Sequence, residues 1–185
     1  MTNKTENNPV INDVNPQTNQ NAITEQNVII AGGGHVGLSF ALLLAAKGIA
    51  STIVERNKYP KLSPKEDAKR THYLDSRNTA LSRRTVQIYQ EINLWDQLQS
   101  QACRIDSVQV SEQGSFGYAQ LNKEEEKVES FGQVMENAWL GRKLLLAVQQ
   151  SPLIDLIDGA NVTDVEQSAT SVTLTYDTDT KQQQT

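Results

Sequence analysis

The sequence predicts an α/β fold organised around a parallel sheet. Three observations point there. Asn27 to Ala31 (NVIIA) is a short apolar run that stops at glycines, as a fully buried parallel strand does. Leu38 to Lys47 (LSFALLLAAK) is rich in helix formers and ends at Gly48, a residue suited to a helix C-terminus. Ile49 to Glu55 (IASTIVE) is rich in β-branched residues and is bounded by charge, so it reads as a second strand. Strand, glycine turn, helix and strand within about 30 residues form a βαβ unit.

Length alone offers another interpretation of this region. Val28 to Gly48 is almost free of charge and has about the ~20 residues that a membrane-spanning helix needs. Such a helix would carry three consecutive glycines and would have to stop at Lys47, Glu55 and Arg56. The βαβ unit accounts for more of the pattern.

The rest of the chain extends the α/β reading. Residues 57–74 hold two prolines and many charges and form a loop that includes His72, a solvated loop residue. Asp75 to Gln101 is expected to be helix, with Ile88, Ile92, Trp95 and Leu98 as one buried stripe and a break at Asn93. Ile105 to Ser111 and Phe116 to Leu121 are expected to pair as a hairpin around Glu112 to Ser115, which is a small β excursion. Lys123 to Lys127 (KEEEK) is a solvated turn. Gly132 to Val134 leads into a helix over Asn137 to Gln150. Three short strands follow, at Leu153 to Leu156, Val162 to Val165 and Val172 to Tyr176. The polar segment 1–26 and the end segment 178–185 lack apolar mass and read as disordered tails flanking a domain at 27–177. Segment 1–26 has neither the basic start nor the apolar middle of a signal peptide.

Composition excludes several classes. The net charge of −5 argues against nucleic acid as a partner, because phosphate backbones need a basic footprint. One cysteine, Cys103, rules out an intrachain disulfide and a cysteine-rich metal site. Two histidines, His35 and His72, leave a histidine-rich metal site without ligands.

The chemistry is carried by Gly32-x-Gly34-x-x-Gly37. Gly32 permits the tight turn out of the strand. Gly34 lets a pyrophosphate approach the backbone, and Gly37 lets the helix pack closely on the strand. The N–H groups and dipole at the helix start then attract the anion. Gly33, His35 and Val36 complete the turn and join the cofactor-binding set. His35 is read as a residue whose backbone faces phosphate, with no chemistry assigned. Glu55 ends the next strand 23 residues after Gly32, about where this fingerprint places an acid for ribose hydroxyls. Strand, motif, helix and acid in that order indicate a dinucleotide site. The motif itself does not choose between FAD and NAD.

Beyond the βαβ unit the order of segments is distinctive. D-x-R-x-x-A-L occupies 75–81, followed by Leu94-Trp95-Asp96, V-S-x-x-G at 110–114, and GQVMENAWLGRKLLLAV from Gly132. Together with VIIAGGGHVG, this resembles the flavin-dependent aromatic hydroxylases of ubiquinone biosynthesis, over about Asn27 to Tyr176. The resemblance implies a Rossmann-like FAD-binding domain. Gly32, Gly34 and Gly37 would lie at the pyrophosphate and Glu55 on the adenosine ribose. Arg77 would lie near the phosphates or flavin edge, a role that suits a planar guanidinium. Arg142 matches a position that often contacts FAD; its alternative is a solvated helix face beside Lys143. Arg56 joins the cofactor-binding set, and Gln133, Arg83 and Arg84 are further candidates.

The resemblance also implies a monooxygenase reaction in which NAD(P)H and O2 are consumed to hydroxylate a polyprenylated phenol. A lipid-borne substrate would place the protein in the cytoplasm, peripheral at the inner membrane surface, in association with other ubiquinone-synthesis proteins. Two motifs of that family, A-D-G and G-D-A-x-H, do not occur in these residues. The domain is therefore expected to be incomplete, the N-terminal part of such an enzyme. Two other functions fit parts of the pattern. One is an NAD-dependent dehydrogenase, and the other is a non-catalytic fragment acting only by association.

Overall fold

The computed structural model describes residues 28–60, 77–114 and 116–178. The expected disordered segment 1–26, the loop beyond Pro60 with His72, and nearly all of the end segment lie outside those residues. The described residues fall into two compact units, 28–60 with 148–178, and 77–147.

The first unit holds the βαβ element. Strand β1 (Val28–Ala31) leads through the glycine turn into α1 (His35–Ala46) and then β2 (Ser51–Glu55). The turn and the 12-residue helix leave no membrane span here, and no helix among the described residues is long and apolar enough to cross a membrane. The stop at Gly48 has a full hydrogen-bonded form. Gly48 sits at φ +75, its N–H donates to Ala45 (2.9 Å), and the Ile49 N–H donates to Leu44 (3.0 Å). These two reverse bonds satisfy carbonyls that the helix leaves without partners.

Strand β8 (Ile154–Asp158) joins on the far side of β2, giving a parallel sheet in the order β1-β2-β8. Strands β9 (Ala160–Gln167) and β10 (Val172–Thr178) form an antiparallel hairpin with a bulge at Thr175/Tyr176. Val54, Ala160, Leu174 and Tyr176 make a buried cluster, against which Ile29, Ile157 and Val162 pack. Alternate residues of the same strands serve the α1 face, where Ile30 lies next to Gly37. Both faces of β1 and β2 are therefore covered, which explains their continuous apolar character. β10 runs through Thr178, one residue into the segment read as a tail.

The second unit differs from expectation at its start. Residues 78–82, expected as helix, are strand β3 (Asn78–Ser82). Strand β7 (Gly132–Glu136), read only as a lead into a helix, sits between β3 and β4 (Cys103–Ile105) in an antiparallel sheet. A short run such as NTALS becomes a strand when a partner completes its ladder, and that partner is about 50 residues away in the chain. Helix α2 (Arg83–Glu91) begins only where Ser82 caps it, its Oγ accepting from the Thr85 N–H at 3.2 Å. The chain breaks at Asn93, in the left-handed region at φ +57, before α3 (Trp95–Leu98) and a 3-10 turn at Gln99–Gln101.

Strands β5 (Ser107–Val110) and β6 (Ala119–Asn122) pair as the expected hairpin. Helix α4 (Asn137–Gln150) has the expected bounds. It is tied to α3 by the Trp139 Nε1–H, which donates to the Leu98 carbonyl at 3.2 Å.

Candidate functional site

The candidate site lies at the C-terminal ends of β1, β2 and β8. Gly32 leaves β1 at φ +107, a conformation that favours glycine, with its N–H donating to the Val54 carbonyl at 2.8 Å. Gly34 caps α1 in an extended conformation that any residue could adopt. Its value lies in space, since a Cβ built there meets nothing within 4 Å. A Cβ on Gly37 would strike the Gly32 carbonyl and come to 3.4 Å from Ile30 Cγ2. The three motif glycines thus supply a turn, an open face and a close helix–strand contact.

The first turn of α1 contains His35, Val36 and Gly37, and no acidic residue. A helix leaves the first four N–H groups without intrahelical partners and carries partial positive charge there. Val36 is 84% exposed beside that turn. The His35 carbonyl accepts from Ser39 Oγ at 2.6 Å.

Glu55 reaches back to the turn. Its Oε2 accepts from the Gly33 N–H at 2.7 Å. Its Oε1 accepts from the Asn57 N–H at 2.8 Å and from Asn57 Nδ2 at 2.9 Å. A carboxylate has about four lone-pair sites, so three donors leave roughly one for a hydroxyl. Arg56, the next residue, is exposed.

Three residues at this site were not singled out in the sequence. Asn57 saturates one oxygen of Glu55. Tyr59 donates from its hydroxyl to the Gly33 carbonyl, and its backbone N–H donates to Asp158 Oδ2 at 2.8 Å. Burial raises the Tyr59 phenol well above its ordinary value, and the carboxylates of Glu55 and Asp158 push the same way. The hydroxyl therefore stays protonated and remains a donor. A tyrosine soon after the acid was the available signal for Tyr59. For Asp158 none existed, because it is 99 residues from Tyr59.

The two candidate arginines belong to the second unit. Arg77 has an exposed side chain, and its carbonyl accepts from the Asn137 N–H at 2.8 Å, so it marks both the start of β3 and the start of α4. Arg142 is 4% exposed and Lys143 is 7% exposed. The solvated-face alternative is therefore corrected: both cations are buried, with the Lys143 ammonium 4.4 Å from the Trp139 ring centroid. Gln133 lies on β7, while Arg83 and Arg84 are exposed at the start of α2, where Arg84 pairs with Glu91 at 3.1 Å.

Comparison with known proteins identifies a family and a shared fold. The family model described as "FAD binding domain" matches residues 25–185. Among solved structures, p-nitrophenol 4-monooxygenase PnpA from Pseudomonas putida DLL-E4 superposes with a TM-score of 0.60 at 15% identity, over 83% of this chain and 37% of that one. The flavin-dependent monooxygenase PieE, in complex with FAD and substrate, gives 0.58 at 21% identity, over 81% and 27%. The Diels-Alderase PyrE3 of pyrroindomycin biosynthesis gives 0.59 at 23% identity, over 81% and 29%. The chain spans about a third of the length of these structures. They share its α/β fold, and their different reactions show that the fold alone does not fix the chemistry.

Proposed function

This chain belongs to the FAD binding domain family, and on that premise we propose that it is part of a flavin-dependent monooxygenase. The proposed reaction is hydroxylation of a polyprenylated phenol in ubiquinone biosynthesis, with NAD(P)H and O2 as co-substrates. The observation that carries the cofactor assignment is the glycine turn, open at Gly34 and buttressed by Glu55. These residues fit the ADP half of FAD. The turn and the start of α1 would hold the pyrophosphate, and Glu55 has room for a ribose hydroxyl. Arg77 is proposed to lie near the phosphates or the flavin edge, and Arg142 is proposed as a further FAD contact. When bound, FAD supplies the redox chemistry and activates oxygen, while the protein binds, orients and excludes water. With FAD as the family's cofactor, a nicotinamide in this site is not proposed.

The substrate assignment is supported by the ordered combination of D-x-R-x-x-A-L, V-S-x-x-G and GQV at 75–81, 110–114 and 132–134. A polyprenyl tail partitions into lipid, so the proposed place of work is the cytoplasmic face of the inner membrane, beside other enzymes of the same synthesis.

Two measurements test these halves separately. FAD added to the purified chain should give a retained flavin absorbance spectrum after gel filtration, and its absence refutes the cofactor assignment. Disruption of the coding sequence in its native host should deplete ubiquinone and accumulate an under-hydroxylated polyprenylphenol, read by mass spectrometry of extracted lipids. An unchanged quinone pool refutes the substrate.

A further inference from the structure

The run Gly32-Gly33-Gly34 contains one glycine that the dinucleotide motif does not ask for. Gly33 occupies a position the motif leaves open to any residue. Its surroundings explain why it is glycine. A Cβ built on Gly33 would collide with the Tyr59 hydroxyl and come to 3.1 Å from both Tyr59 Cζ and Glu55 Cβ. The ring of Tyr59 fills the space that a side chain would need.

The same tyrosine holds the backbone. The Gly33 N–H donates to Glu55 Oε2 at 2.7 Å, and the Gly33 carbonyl accepts from the Tyr59 hydroxyl. With the Gly32 N–H bound to the Val54 carbonyl, three polar groups of the turn are tied to β2 or to the segment just after it. Tyr59 is itself held through its N–H by Asp158, which is the register partner of Glu55 across β2 and β8. The Gly33–Gly34 peptide is trans, so its C=O and N–H point in opposite directions. Fixing the Gly33 carbonyl against Tyr59 turns the Gly34 N–H to the other side. That side belongs to the cap residue of α1, where the anion is attracted.

We propose that Tyr59, anchored by Asp158, is a positioning residue that clamps the Gly33–Gly34 peptide and presents the Gly34 N–H to the FAD pyrophosphate. The inference rests on the FAD reading of the site and adds to it a specific tyrosine, a specific peptide and the reason for the third glycine. A tyrosine that merely filled space would do so equally well as phenylalanine, which separates the two roles experimentally.

The test uses the whole chain and four variants (Tyr59→Phe, Tyr59→Ala, Gly33→Ala and the Gly33→Ala/Tyr59→Ala pair), with FAD as the titrant and flavin fluorescence as the signal. Tyr59→Phe keeps the ring and removes the donor, and should weaken FAD binding about tenfold. Gly33→Ala should weaken it at least thirtyfold in the parent background but only a few-fold in a Tyr59→Ala background, where the ring no longer occupies the space. Equal losses in both backgrounds, or a Tyr59→Phe affinity within twofold of the parent, overturn the proposal. A second readout needs no cofactor. Exchange of the Gly33 amide proton, followed by NMR in the ligand-free chain, should accelerate at least fivefold in Tyr59→Phe, and an unchanged rate overturns the clamp. If the parent chain takes up no FAD, the FAD reading fails, and the exchange rate alone then decides whether the clamp exists.

Discussion

The glycine turn after β1 and the turn between β5 and β6 are both built on glycines, and they use them for different purposes. Gly114 at φ +85 and Gly117 at φ +110 sit in conformations that favour glycine, yet a Cβ on either meets nothing within 4 Å. In the β5–β6 turn only the backbone angle matters. In the turn after β1, Gly32 also serves its angle, but Gly33 and Gly37 are glycine because a ring hydroxyl and a carbonyl already occupy the space. Gly34 has neither constraint: its angle is extended and a Cβ on it meets nothing within 4 Å. A glycine that exists for its angle and one that exists for room are indistinguishable in a sequence. They differ in what their replacement costs.

Replacement costs can break or sharpen this contrast. The largest effect is expected at Gly37→Ala. The new methyl must displace the Gly32 carbonyl, whose residue is bound to Val54. Overpacking of this kind costs about 1–3 kcal/mol, and the change should fall at the upper end in urea denaturation, with loss of retained flavin. Glu55→Gln comes next. It removes the charge behind hydrogen bonds to Gly33 and Asn57 and should cost about 2 kcal/mol, since bonds to charged groups contribute more than neutral ones. FAD affinity should fall with it.

Gly114→Ala and Gly117→Ala should cost about 1 kcal/mol each from the backbone angle, with FAD binding unchanged. If either proved as damaging to FAD binding as Gly37→Ala, the contrast would be wrong. The smallest effect concerns pH. Folding holds the Tyr59 phenol protonated, whereas the unfolded chain ionises it near the ordinary value of 10.0. Its contribution to stability is therefore complete below that pH and is lost as the pH rises further. Thermal melts between pH 8 and 11 should show this decline, and Tyr59→Phe should flatten it.

How much the sequence disclosed follows the same division. The motif, α1 with its stop at Gly48, and Glu55 were legible because their logic is local. Each depends on residues within about 23 positions, and the apolar run of a two-sided strand is visible on its own. Strands β3 and β7 were not legible, because neither has a pattern that survives without its partner. NTALS could extend a helix as readily as join a sheet until GQVME is beside it. For Arg142 the sequence left open a solvated helix face beside Lys143, and the burial of both depends on how α4 packs. Tyr59 and Asp158 were hidden for the same reason, since their bond spans 99 residues.

The parallel register of β2 and β8 reaches beyond the stability of the sheet. It places Asp158 opposite Glu55, and from there Tyr59 opposite Gly33. A strand advances about 3.3 Å per residue and alternates its faces. Deleting one residue within Ile154–Asp158 would therefore shift the Tyr59 anchor by that distance and turn it to the wrong face. The sheet acts as a gauge that sets the spacing of the turn at its end. Length changes in this strand, remote in sequence from every glycine of the motif, should be among the least tolerated in the chain.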